Sequence, residues 1–159
     1  MSPNDLPESP YRRVLFCTDF SANADHAFAF ALDAAARRPG CALTILHVIP
    51  EPEAQFWKTY IYELDGVDEK ARRDIDDRMA EAYLSRVPAG VVVDMEVRIG
   101  RDYVEILDCA SRREADLIVL GRHGRSGIGD LLFGGVADKV TRKAPCPVLV
   151  VPPPHPPKA

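Results

Sequence analysis

The chain has 159 residues, 47% hydrophobic and 28% charged, with a net charge of −4 at pH 7. That length suits one domain with a real core, and no apolar stretch approaches the ~20 residues a membrane span needs. The acid excess argues against a surface that as a whole attracts nucleic acid or an anionic membrane, although a local basic patch is compatible with it. The first residues, Met1-Ser2-Pro3-Asn4-Asp5, carry neither a basic nor an apolar leader pattern, so a cytoplasmic protein is expected. Cys17, Cys41, Cys109 and Cys146 lack the short pairwise spacings of zinc sites and read as inert thiols rather than disulfide partners.

Residues 1–10, rich in Pro, Ser and acid, read as a loose arm. The apolar run 13–17 predicts a first strand, and Ser21 a helix N-cap. Ala24, Ala27, Phe28, Ala31, Leu32 and Ala35 then recur at helical spacing until Pro39-Gly40 stops them. A second strand follows over 43–49. The segment 51–88 is too long for a simple crossover: 56–62 carries clustered aromatics, read as cover over the open end of the sheet, with a ligand lid or a dimer surface as the other possibilities. A charged helix over 68–86 has Ile75, Met79, Ala82 and Tyr83 as its apolar stripe. The alternation over 91–97 suggests a strand near a sheet edge. Tyr103, Ile106, Leu107 and Ala110 mark a helix with Arg112 and Arg113 in its last turn, and 116–120 is a buried strand. Phe133, Val136, Ala137 and Val140 line a last helix, 147–151 is a last strand, and the proline-rich 152–159 reads as a solvated tail. Strands alternating with helices imply an α/β domain with a parallel sheet covered on both faces.

Function is written most clearly after the fourth strand. There the glycine-rich basic loop Gly121-Arg122-His123-Gly124-Arg125-Ser126-Gly127-Ile128-Gly129 leads toward a helix. Glycine lets main-chain N–H groups converge on one point, and the helix adds its positive dipole end, so the pattern suits a phosphate. A second polar segment, Cys17-Thr18-Asp19-Phe20-Ser21, follows the first strand. Ligands of open α/β sheets bind beyond the carboxyl ends of strands, where the chain order reverses. Asp19 there suits ribose hydroxyls, a Mg²⁺ beside phosphate, or the capping of a helix, and these roles are compatible. The loop is neither a Walker A motif, since no lysine lies between Lys70 and Lys139, nor a dinucleotide fingerprint, since the first strand–helix turn has no glycine. His123 in the loop could act as a general acid or base or could brace the loop, and His47 reads as a satisfied structural histidine. No catalytic constellation is visible.

The spacing Gly121-x2-Gly124-x9-Gly134, the flanking Asp-Leu-Ile-Val-Leu and Ala-Pro-Cys-Pro-Val-Leu-Val-Val, Thr18-Asp19-Phe20-Ser21 and Leu46-His47-Val48-Ile49 closely resemble the universal stress protein family over residues 11–151. The resemblance implies an open five-stranded parallel sheet of order 3-2-1-4-5, of the Rossmann-like, adenine-nucleotide alpha-hydrolase-like class, in a homodimer that acts on a protein partner the chain does not name. It also implies ATP or a related adenine nucleotide as ligand. By position, Cys17, Thr18 and Asp19 would contact adenosine, with Asp19 toward ribose or a nucleotide-borne Mg²⁺. Val48 would bond adenine through its main chain, and Gly100 would lie beside the nucleoside. Gly121, Arg122, His123, Gly124, Arg125, Ser126 and Gly127 would wrap ribose and phosphates, with Gly134, Gly135 and Val136 closing over the phosphates.

One position departs from the ATP-binding pattern: Gly135 stands where Ser or Thr is expected. The missing hydroxyl is worth ~1–2 kcal/mol against a charged phosphate oxygen, which is about tenfold in affinity. The expected function is therefore a nucleotide-binding sensor or regulatory module of the stress response. The alternatives are a slow ATPase and a dimeric interaction protein that binds no nucleotide.

Overall fold

A computed structural model describes residues 9–50, 67–122 and 135–155. The aromatics of 56–62, Phe133 and most of the glycine loop lie outside the described residues. The continuous apolar runs form the strands β1 (Arg13–Thr18), β2 (Ala42–Pro50), β3 (Val92–Gly100), β4 (Leu117–Gly121) and β5 (Val148–Val151). They join in one sheet of order β3-β2-β1-β4-β5, all neighbours parallel, as the family resemblance implies. The helices are α1 (Ala22–Ala36), α2 (Val67–Tyr83, continued by a 3₁₀ turn at Leu84–Arg86), α3 (Asp102–Arg112) and α4 (Val136–Lys143).

The period-2 geometry of the central strands divides the core into two layers. On one face Val14, Phe16, Leu43, Ile45, Leu117 and Val119 meet Ala27, Phe28, Ala31 and Ala35 of α1 and Met79 and Tyr83 of α2. The stripe read from the sequence thus packs inward. Phe16, Phe28 and Tyr83 form its aromatic centre, with ring centroids 4.7–5.3 Å apart. On the other face Leu15, Cys17, Leu46, Ile118 and Leu120 meet Ile106, Cys109 and Ala110 of α3 and Val140 of α4.

β3 is an outer strand, with Val92 and Ile99 exposed, as its alternation suggests. Arg113 is not in the last turn of α3. It follows the helix, and its guanidinium reaches Asp94 at 2.8 Å and Glu96 at 3.3 Å on β3. Arg98 joins Glu96, Glu105 and Asp108, so ion pairs clasp α3 to this edge. The last residues of the N-terminal arm also dock: Ser9 is buried, and its carbonyl accepts from Arg38 at 3.0 Å.

Candidate functional site

In a parallel sheet each crossover helix runs back against the strands, so its N-terminus lies at the strands' carboxyl edge. After β1 the chain passes to α1 on one face, whereas α4, between β4 and β5, packs on the other. The sheet order therefore reverses between β1 and β4, and a crevice opens there.

On the β1 side a polar cascade builds the turn. Thr18 Oγ1 accepts from the Phe20 amide at 2.9 Å, Asp19 Oδ1 from the Ser21 amide at 2.9 Å, and Ser21 Oγ from the Ala24 amide at 3.1 Å. Each is a short side chain closing on a backbone N–H two or three residues on, which is why this Thr-Asp-x-Ser run leaves a strand and starts a helix. Ser21 is the N-cap, and Asp19 closes the turn before it by accepting from the Ser21 amide, so the helix-capping role considered for Asp19 falls to Ser21. Phe20 adopts φ +63°, a left-handed conformation that costs a bulky residue about 1–2 kcal/mol.

The side chains of Cys17 and Thr18 are buried, Cys17 in the α3 layer and Thr18 toward α2. Burial, and secondarily the neighbouring Cys109, push the Cys17 thiol well above its ordinary range, so it is an inert core group. Asp19 is the residue of this trio with a partly exposed side chain. His47 is buried, and its Nδ1–H donates to the Thr18 carbonyl at 2.9 Å, which bears out its structural reading.

On the β4 side, Phe16 pairs with Val119, so Thr18 and Gly121 each stand two residues further toward the carboxyl edge. A Cβ on Gly121 would come within 3.0 Å of the Asn23 side chain and 3.2 Å of its backbone, so a larger residue would press on the first turn of α1, and glycine lets β4 end this close to it without displacing Asn23. Asn23 Nδ2 donates to the Val151 carbonyl at 3.0 Å, and the Arg122 amide donates to the same oxygen at 2.8 Å. The start of the glycine loop is thus pinned to both α1 and β5, beside the Asp19 turn. Arg122 is exposed.

The remaining predicted positions share that edge at different distances. β2 runs past its last β1 pair, Thr18–His47, so Val48 is paired on the β3 side, with Arg98. Gly100 ends β3 opposite Pro50, two strands from β1. Its φ is +156°, and a Cβ there would meet Glu105 Oε1 at 2.8 Å. Gly135 is the N-cap of α4 and Val136 its first residue. His123, Gly124, Arg125, Ser126, Gly127 and Gly134 lie outside the described residues. Among the described residues no group of three or more His, Cys, Asp or Glu is placed to hold a metal, and no helix is long and apolar enough to cross a membrane.

Sequence reasoning missed Asn23 and the full reach of the turn. The Thr-Asp-x-Ser run was its available signal, whereas the partners of Thr18 on other elements had none.

The family model described as the universal stress protein family matches residues 10–152. A universal stress protein of Methanocaldococcus jannaschii is 30% identical over 149 residues, covering 91% of this chain and 84% of the relative. The solved structure of the hypothetical protein MJ0577, from the same organism, superposes with a TM-score of 0.75 at 27% identity, covering 92% of this chain and 99% of the other. A universal stress protein solved in complex with cAMP has a TM-score of 0.59 at 25% identity and covers 91% of this chain and 98% of its own. With its sheet order and with most of its length matched, the chain belongs to the universal stress protein family.

Proposed function

We propose that this protein is an adenine-nucleotide-binding regulatory module, with ATP as its ligand. The observation that carries the reading is the junction of Gly121 with Asn23, which sets the root of the glycine loop against the Asp19 turn at the switch point. That a related universal stress protein was solved in complex with cAMP supports an adenine nucleotide as the ligand. Asp19 takes the ribose hydroxyls or a Mg²⁺ carried by the phosphates, since the described residues offer no metal cluster of their own. Cys17 and Thr18 contribute main chain, because their side chains are engaged inside. The Val48 main chain faces adenine, and Gly100 borders the nucleoside. Gly121, Arg122, His123, Gly124, Arg125, Ser126 and Gly127 surround ribose and phosphates. Gly134, Gly135 and Val136 bring the N-terminus of α4 to the phosphates, where its dipole favours negative charge. Binding shifts the population of the loop and with it the affinity for a protein partner in the cytoplasm.

The test is thermal unfolding with MgATP. At a hundredfold excess over Kd the ligand adds ~2.7 kcal/mol, a rise in Tm of about 5–10 °C for a domain of this size. Asp19→Ala should flatten the response, and an unchanged wild-type Tm at millimolar ATP would sink the proposal. Phosphate release from the same samples separates the module from a slow ATPase, with binding and no steady turnover expected.

The missing hydroxyl at Gly135 favours one second reading, an interaction protein that acts through its dimer. β5 is an outer strand and exposes Leu149, which supports a homodimer under either reading. Light scattering on the full chain tests that assembly.

A further inference from the structure

The ligand-side roles do not explain how firmly the Asp19 turn is held from behind. The residues on either side of Asp19 are both gripped by elements distant in sequence. Thr18 Oγ1, which accepts from the Phe20 amide, is also hydrogen-bonded to the Tyr83 hydroxyl at the end of α2. The Thr18 carbonyl accepts from His47 on β2. The Phe20 ring lies 4.7 Å from the His47 imidazole and is stacked on the Tyr83 ring at 6.3 Å and 20°. The Arg78 guanidinium stands 4.1 Å from the Phe20 centroid.

A bulky residue stays at φ +63° only where its surroundings over-determine it, and such outliers gather at functional sites. Here the surroundings are Tyr83 and Arg78 of α2 and His47 of β2. The Tyr83 ring alone would complete the aromatic centre with Phe16 and Phe28. A buried tyrosine hydroxyl needs a polar partner, and this one finds it on Thr18.

We propose that Tyr83 and His47 are positioning residues for the Asp19 turn, and that through Tyr83 helix α2 senses whether the turn is occupied. The inference rests on the nucleotide reading above. Breaking the Tyr83–Thr18 bond frees the Thr18 hydroxyl that holds the Phe20 amide, so Phe20 relaxes from its left-handed conformation and Asp19 moves with it. Coupling between sites is reciprocal: a ligand that fixes Asp19 must also quieten the last turn of α2.

The experiment is calorimetric titration of the full chain with MgATP, paired with amide hydrogen exchange. Tyr83→Phe should weaken binding about five- to tenfold, the scale of one lost hydrogen bond, and Thr18→Val, which also loses the bond to the Phe20 amide, at least as much. Because Thr18→Val already removes the bond that Tyr83→Phe breaks, the double variant should bind no more weakly than Thr18→Val alone. Phe28→Leu, which disturbs packing against the Tyr83 ring but keeps both hydroxyls of the Tyr83–Thr18 bond, should bind as wild type, and it separates positioning from a general loss of packing. ATP should slow exchange at Ala82 and Tyr83 in the wild type and leave it unchanged in Tyr83→Phe. If Tyr83→Phe does not fold, Thr18→Val carries the same test. Wild-type affinity in both Tyr83→Phe and Thr18→Val, or equal ATP protection of α2 in wild type and Tyr83→Phe, overturns the inference alone. No heat from the wild type overturns the nucleotide reading and this inference with it.

Discussion

Replacing Gly135 with serine probes the position where the chain departs from the ATP-binding signature. Gly135 caps α4 with φ −67° and ψ 165°, and Ser21 caps α1 with φ −72° and ψ 163°. The backbone at 135 therefore already suits serine, and α1 shows the outcome: Ser21 Oγ accepts from the amide three residues on at 3.1 Å. In Gly135→Ser the equivalent partner is the Asp138 amide, and the hydroxyl proton stays available for a phosphate oxygen. Glycine is only a few tenths of a kcal/mol worse than serine as a cap, so stability should rise by about that much. The added donor to a charged oxygen should contribute ~1.4 kcal/mol, or about tenfold tighter ATP. Gly135→Ala is the control: it lacks the hydroxyl, loses ~1 kcal/mol of capping relative to serine, and should not tighten binding. Calorimetry with MgATP beside urea denaturation separates the two effects. If Gly135→Ser gains stability without affinity, the hydroxyl serves the helix alone and the account of this departure is wrong.

Other consequences are as direct. Gly121→Ala must displace Asn23 and its bond to Val151, so it should cost about 1–3 kcal/mol and lower Tm by several degrees with no ligand present; a neutral alanine would refute the close-approach explanation. Ser21→Ala should lose ~1 kcal/mol through the α1 cap, seen as a lower urea midpoint with an unchanged slope. Burial raises the Glu96 carboxyl, but hydrogen bonds from Cys109, Arg98 and Arg113 outweigh it and hold it below its ordinary 4.5. A depressed folded value contributes stability that is present above the unfolded value and lost as pH falls through the folded one. The deficit of Glu96→Gln in urea denaturation should accordingly be largest above about pH 4.5 and shrink in more acid solution. A deficit independent of pH would contradict the ion-pair clasp on α3.

How much of this was legible follows from the range of the interactions. The strands and helices were, because period-2 and period-3.6 patterns are local, and the burial of Met79 and Tyr83 confirms the stripe on α2. The edge position of β3 was legible from its alternation. The strand order was not derivable from periodicity and came from the family resemblance. Ser21 was recognisable as a capping residue, since its partner is three positions away, whereas Asp19, read as a possible cap, closes the turn just before it. The Tyr83 hydroxyl was not, because Thr18 is 65 positions distant and a tyrosine in an apolar stripe reads as packing. Nor was the left-handed Phe20, whose side chain argues against that conformation. Arg113 suited the dipole of α3 in sequence, but two carboxylates on the neighbouring edge strand draw it away. At Gly121 sequence suggested a phosphate cradle, whereas the structure adds contact with Asn23 as a second reason for glycine.

On the proposed function, the crevice between the Asp19 turn and the root of the glycine loop takes an adenine nucleotide. Calorimetric titration of the wild-type chain with MgATP, beside Asp19→Ala, tests it most directly. Saturable binding by the wild type, weakened in Asp19→Ala, is the expected result. No heat from the wild type at millimolar ATP, or equal affinity in the two proteins, would contradict it.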